Sequence, residues 1–243
     1  MTNQNITIHI NPKRILIWLL AATAVLVGLS IYGQKVRFFG VADIRGTWHE
    51  FWLDHLMNSF YLDKESNIPT FFNALLLFLP SQLFALISVW KFSIRDKYRY
   101  FWAGLSLIYL FLAFDEASSL HETLIKPMQA IVGAEGVFRF SWVVAGIAAV
   151  ILFGLVFFYF FLHLERKFKI LFFMSLAVYI GGVIGGEMVS GYVASNFQMK
   201  SFIYGVTASL EESLELIGCS LLIYSLLEYL KDNLPQGLIL KSS

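Results

Sequence analysis

The chain has 243 residues, of which 58% are hydrophobic and only 14% are charged, and its mean hydropathy is +0.68. Soluble globular proteins carry roughly 45–50% apolar and about 25% charged residues, so both a soluble domain and a disordered chain are excluded. The net charge of +1 provides no basic surface for nucleic acid. The single cysteine, Cys219, excludes a disulfide framework and a cysteine-based zinc site. The composition indicates a polytopic membrane protein.

Six apolar runs are long enough to cross a membrane as helices, at about 18 residues or more each. The expected fold is therefore an all-α bundle of six transmembrane helices that forms a single membrane domain over residues 1–243. The predicted spans cover residues 15–32, 68–90, 100–118, 140–162, 170–189 and 203–230.

Lysine and arginine are concentrated on one side of these predicted spans. That side holds 11 of the 18 basic residues and four of the 17 acidic residues, and the opposite side holds seven basic and 13 acidic residues. Because short cytoplasmic loops are enriched in Lys and Arg, we expect both chain ends to lie in the cytoplasm. The compact chain without eukaryotic sorting signals favours a bacterial inner membrane.

The longest connection, residues 33–67, falls on the outer side and contains an aromatic, amphipathic segment at residues 47–57. This pattern predicts an interfacial helix. His49 and His55 lie on it as secondary site candidates, but their spacing is not that of an H-E-x-x-H metal motif. We interpret the segment as an interfacial helix that is placed to cover the outer side.

Three spans carry acidic residues where the sequence is otherwise apolar: Asp115 and Glu122 in the third, Glu187 in the fifth, and Glu211 and Glu215 in the sixth. A charged group at the centre of a membrane helix costs roughly 2.5–3.5 kcal/mol. At about 1.5 Å per residue, the deeper of these groups lie about 22–28 Å from the cytoplasmic helix ends. All three spans therefore place carboxylates in one layer, within the outer leaflet.

Helical periodicity predicts that these groups converge. Glu211 and Glu215 share a face of the sixth span, and Asp115, Ser119 and Glu122 share a face of the third. Before Glu187, the pairs Gly181/Gly185 and Gly182/Gly186 favour close helix packing. The secondary candidates are Glu116, Ser119, His121, Glu212, Asn73, His49 and His55.

A simpler interpretation also stands for several of these residues. Glu116 and Glu122 fit a solvated helix end, and His121 fits an interfacial histidine. Glu211 and Glu212 lie in early turns of a helix, where the helix dipole favours acids. Asp115, Glu187 and Glu215 lie deeper and fit these explanations least.

Adjacent carboxylates require either shared protons or a bound cation. Our leading hypothesis is a divalent metal ion, because Asp, Glu and His are common ligands of Mn, Fe, Zn and Ca. In its enzymatic form, this hypothesis predicts a metal-dependent reaction on a lipid or lipid-linked substrate at the outer surface. Two alternatives remain open: a proton or cation transporter that uses the intramembrane acids, and an assembly subunit whose acids pair with a basic partner helix. Membrane lipid is the expected partner, and the sequence leaves protein partners open.

Overall fold

The computed structural model describes residues 10–40 and 47–234, and these residues are mostly helical and contain no strand. Six helical segments are long and apolar enough to cross a membrane, the fifth being the continuous run Arg166–Phe197. The all-α, six-helix membrane bundle expected from the sequence is confirmed. The helices are α1 Pro12–Phe39, α2 Trp48–Phe60, α3 Ile68–Ser93, α4 Arg99–Ser118, α5 Ile125–Val132, α6 Val143–His163, α7 Arg166–Ile180, α8 Glu187–Phe197 and α9 Phe202–Asn233.

Several helices begin where a side chain caps the backbone. The Asn67 side chain accepts a hydrogen bond of 3.1 Å from the Thr70 backbone N–H at the start of α3, and a proline follows within the first turn. Ser201 caps α9 through the Tyr204 N–H, at 3.2 Å. Such caps satisfy donors that a helix start leaves free. The start of the second predicted span at residue 68 follows from this local chemistry.

The last helix, α9, forms the centre of the bundle. In its most apolar stretch 61% of the residues are buried, against 17% in the corresponding stretches of α1 and α6. It packs against α1, α3 and α7. Polar side chains on α9 are consequently enclosed by protein rather than exposed to lipid.

Glycines let the fifth span approach α9 closely. The segment Gly181–Gly186 between α7 and α8 is a π-helix, a local widening of the helix that is frequent at functional sites. A Cβ on Gly182 or Gly186 would lie within 2.8 Å of the Glu215 or Glu211 side chain, whereas Gly181 and Gly185 have open space around them. One of the two predicted glycine pairs therefore forms the helix contact.

The half of the bundle that lies away from the acidic layer is held by aromatic packing. Trp102 of α4 is almost fully buried, and its ring lies against Phe160 of α6 and Tyr229 of α9, with centroids 5.0 and 4.9 Å away. Lys167 donates hydrogen bonds to Glu228 and Asp232 at the same end, at 3.1 and 2.7 Å. These contacts join α4, α6, α7 and α9 independently of the acidic layer.

The helix contact at Gly218 gives a stability prediction. A Cβ at this position would lie 2.6 Å from the Tyr179 backbone nitrogen and 2.7 Å from its Cα. Overpacking of this kind costs typically about 1–3 kcal/mol, so Gly218→Ala should lower the melting temperature of the purified protein in mild detergent.

Gly154→Ala is the matched control, because a Cβ there meets nothing within 4 Å and alanine is the better helix former. Its melting temperature should equal or exceed that of the wild type. Equal melting temperatures for the two variants would contradict the tight contact between α7 and α9.

Candidate functional site: an outer carboxyl cluster

Acidic side chains from four parts of the chain meet at the outer end of the bundle. Glu212 of α9 illustrates the arrangement, since its electrostatic neighbours are Glu215, Glu116, Asp63 and Glu187. The group combines residues from the segment before α3, the end of α4, the start of α8 and the outer half of α9. We call it the carboxyl cluster, and it comprises Asp63, Glu65, Glu116, Glu187, Glu211, Glu212 and Glu215.

Glu187 and Glu211 form a carboxyl pair within the cluster. The Glu187 carboxyl lies within hydrogen-bonding reach of the Glu211 carboxyl, and the buried Ser190 hydroxyl donates to Oε2 of Glu211. Gly186 brings the backbone of the π segment against the Glu211 side chain. Two carboxyl groups in such contact are compatible only if a proton or another cation lies between them.

A second group in the cluster surrounds the side chain of Asn73 on α3. Asn73 is 1% exposed, and neither its amide nitrogen nor its amide oxygen has a hydrogen-bond partner within 3.5 Å. At longer range the Asn73 amide still acts as a hydrogen-bonding partner of the Glu116 and Glu215 carboxyls. Leaving a buried amide wholly unpaired costs about 1–3 kcal/mol per group, so Asn73 depends on these two acids to satisfy its side chain.

A series of hydrogen bonds and one ring contact connects the end of α4 with Glu187. Asp115 accepts hydrogen bonds from the His121 backbone N–H at 2.7 Å and from the His121 Nδ1 at 3.0 Å. The His121 ring lies against Trp142, with centroids 4.7 Å apart, and Trp142 Nε1 donates to Glu187 at 3.0 Å. These contacts tie the end of α4 to the starts of α6 and α8 around the cluster.

Burial lowers the pKa of His121, but the hydrogen bond and the charge of Asp115 raise it more, with help from Glu116 and Glu187. The net effect is a pKa above the usual value of 6.5. The proton on His121 therefore stabilises the fold at neutral pH and below.

Sequence reasoning missed Asp63 and Glu65, which precede α3 and look like part of a helix-start signal. Asp63 as a whole residue is exposed, but its carboxyl lies between two phenols: Tyr61 donates to it at 2.8 Å and Tyr204 at 3.1 Å. Loss of hydration, reinforced by Glu187 and Glu65, outweighs these bonds and raises the pKa of Asp63 to about 6. Only the tertiary contact with α9 distinguishes Asp63 from a surface acid.

Four predicted site residues lie apart from the cluster. Ser119 adopts a left-handed conformation, with φ of 51°, and ends α4, so Glu122 does not continue the predicted helix face and is exposed. His49 and His55 are exposed on α2. The predicted amphipathic outer helix exists, but its histidines do not extend to the carboxyls.

The metal hypothesis receives no support from ligand geometry. Within residues 10–40 and 47–234, no group of three or more His, Cys, Asp or Glu side chains is arranged to hold a metal ion. Within the cluster, Glu187 pairs with Glu211, and Glu116 and Glu215 lie around Asn73. A divalent ion bound at the cluster would therefore need further ligands, or a rearrangement of these side chains, to complete its coordination.

A family model matches residues 16–229 and is described as Domain of unknown function (DUF8692). The chain belongs to this family. The matched range includes the whole carboxyl cluster and reaches from α1 into the last turns of α9. Neither the curated proteins nor the solved structures contain a match to the chain.

The ion pair at His121 predicts a pH-dependent stability. A histidine whose pKa is raised by folding contributes stability that is complete below its unfolded pKa of 6.5 and is lost as the pH rises through the folded value. The melting temperature of the wild type minus that of His121→Gln should therefore be largest near pH 6 and decrease toward pH 9.

His49→Gln is the matched control, because His49 is exposed on α2. Its difference from the wild type should not change with pH. A pH-independent difference for His121→Gln would show that the pair with Asp115 is not charged in the folded protein.

Proposed function

We propose that this multi-pass membrane protein binds and exchanges protons at the carboxyl cluster, as part of proton-coupled transport. The observation that carries the proposal is the contact between the carboxyls of Glu187 and Glu211 inside the bundle. One proton shared between them satisfies both groups. Intramembrane acids in bundle interiors are typical of proton relays in transporters.

The surroundings favour a proton over a permanent positive partner. In the described part of the chain, the ion pairs of Lys and Arg all lie away from the cluster, at Arg37–Asp54, Lys91–Asp96 and the pairs that involve Glu228 and Asp232. His121 is the cationic group that faces the cluster, through Glu116 and Glu187. The cluster therefore depends on mobile cations for its charge balance.

Two groups with raised pKa values, Asp63 and His121, lie at the edge of the cluster. The pKa of Asp63 is about 6, and that of His121 is raised above 6.5. From Glu215 toward the cytoplasm, α9 carries further buried polar side chains at Ser220, Ser225 and Glu228. These features supply an outer acceptor for protons and polar groups along the central helix toward the other side.

The proposal is tested first by infrared spectroscopy of the purified protein. The C=O stretch of protonated carboxyl groups should be present at pH 7 and should decrease in Glu211→Gln and in Glu187→Gln, because either substitution removes one acid of the pair. Glu122→Gln is the control, since Glu122 is exposed and outside the cluster.

The second measurement is proton flux into proteoliposomes under a pH gradient. Flux should fall to the level of empty liposomes in Glu211→Gln and Glu215→Gln and stay at the wild-type rate in Glu122→Gln. A wild type without a protonated carboxyl band, or without flux above empty liposomes, would refute proton exchange.

Asn73 favours a second candidate function, a divalent metal site of an enzyme that acts on a lipid or lipid-linked substrate. The Asn73 amide oxygen and the carboxyls of Glu116 and Glu215 would offer a hard, oxygen-only donor set, the type that Ca²⁺, Mg²⁺ and Mn²⁺ prefer. A metal held by these residues would supply an activated water, and a neighbouring carboxylate would be placed to act as the base. With both chain ends in the cytoplasm of a bacterial inner membrane, this site would face the periplasmic leaflet.

Elemental analysis of the protein purified in mild detergent separates the two candidates. The metal candidate predicts about one divalent ion per chain, which is lost in Glu215→Gln and in Asn73→Ala but kept in Glu122→Gln. The proton candidate predicts no stoichiometric metal in the wild type. Stoichiometric metal that survives both substitutions would show that the ion is bound elsewhere and would contradict a metal site at Asn73.

A further inference from the structure

A cavity of about 500 Å³ opens on the outer side, where α2 ends and α3 begins. It lies next to the carboxyl cluster along the chain but has a different lining. The residues around it carry hydrogen-bond donors, one amine and two apolar side chains, and none of them is acidic. They include His55, Asn58, Lys64, Asn67, Ile68 and Phe71.

Hydrogen bonds fix two walls of the cavity. Asn58 accepts from Arg37 at 2.6 Å and donates to Asp54 at 2.9 Å. The Asn67 amide donates to the Tyr61 carbonyl at 2.7 Å and to the Asn58 carbonyl at 3.2 Å. The end of α2 and the start of α3 are thus joined, and the cavity is part of the fold.

Along residues 63–66, acidic residues of the carboxyl cluster alternate with residues that line the cavity. The carboxyls of Asp63 and Glu65 interact with the carboxyl cluster, whereas Lys64 and Ser66 line the cavity. The Lys64 amine forms no ion pair within the described part of the chain. The cavity therefore presents the amine of Lys64 and the hydroxyl of Ser66, while the neighbouring acids Asp63 and Glu65 belong to the carboxyl cluster.

An apolar strip leads away from the cavity along α3. Ile68 and Phe71 line the cavity and are 47% and 67% exposed, and Leu75, Phe78 and Leu79 continue the exposed strip over the next turns. Their spacing places them on the outer surface of a membrane-spanning helix. A molecule held at Lys64 would have a lipid-facing surface for its tails directly below.

We propose that this cavity binds the headgroup of an anionic phospholipid of the outer leaflet, with the phosphate at Lys64 and an acyl chain along Phe71 and Leu75. Charge complementarity and the continuous apolar strip both favour an amphiphile over a free anion. The aromatic side of α2, with Trp48, Phe51 and Trp52 exposed, flanks the cavity and suits the membrane interface. The proposal is independent of what occupies the carboxyl cluster.

The test compares lipid retention in nanodiscs that contain phosphatidylcholine and phosphatidylglycerol in equal amounts. Native mass spectrometry after release should show phosphatidylglycerol retained on the wild type. In Lys64→Gln this retention should fall about tenfold, which corresponds to about 1.4 kcal/mol, because the charge-assisted hydrogen bond to the phosphate is lost. Lys64→Arg should keep it, which separates charge from a folding defect.

Lys126→Gln is the matched control, since Lys126 is an exposed lysine on the same side of the bundle. It should retain phosphatidylglycerol like the wild type. Equal retention in Lys64→Gln and the wild type, or equal retention of both lipids, would overturn the proposal. Displacement of the lipid by millimolar inorganic phosphate would also overturn it, because the site would then select a free anion.

Discussion

The close approach of α9 to the π segment Gly181–Gly186 is the contact on which the site depends. Where Gly182 and Gly186 lack side chains, α9 places Glu211 and Glu215 against the backbone of the fifth span. Neither acid can turn toward lipid or water from that position without losing the helix contact. Packing energy from small residues therefore holds carboxyl groups inside a membrane bundle, where they need a cation.

The other elements complete the enclosure of these carboxyls. The chain from Asp115 through His121 and Trp142 to Glu187 joins three helix ends, and Asp63 bonds to α9 through Tyr204. The cluster therefore lies beside titratable groups, Asp63 and His121, rather than beneath a purely apolar layer.

Sequence periodicity predicted the helices because each span carries its own signals: a long apolar run, a capping Asn or Ser, and a proline in the first turn of α3. It also predicted a common layer for Asp115, Glu187 and Glu215, since depth in a helix follows from residue count. It did not predict Asp63 or Glu65, because a connection of unknown path has no periodicity from which to infer its contacts. Sequence periodicity also failed to predict the position of Glu122, because the left-handed conformation at Ser119 ends the helix and redirects the chain.

By itself, the sequence determined that the chain crosses a membrane six times and concentrates its acids on one side, because hydrophobic length and residue type are local properties. Only the tertiary structure decided which acids touch. Glu187 pairs with Glu211, and Asn73 faces Glu116 and Glu215. These pairings depend on how helices rotate and approach, and that depends on small differences in packing between alternative faces of equally apolar helices.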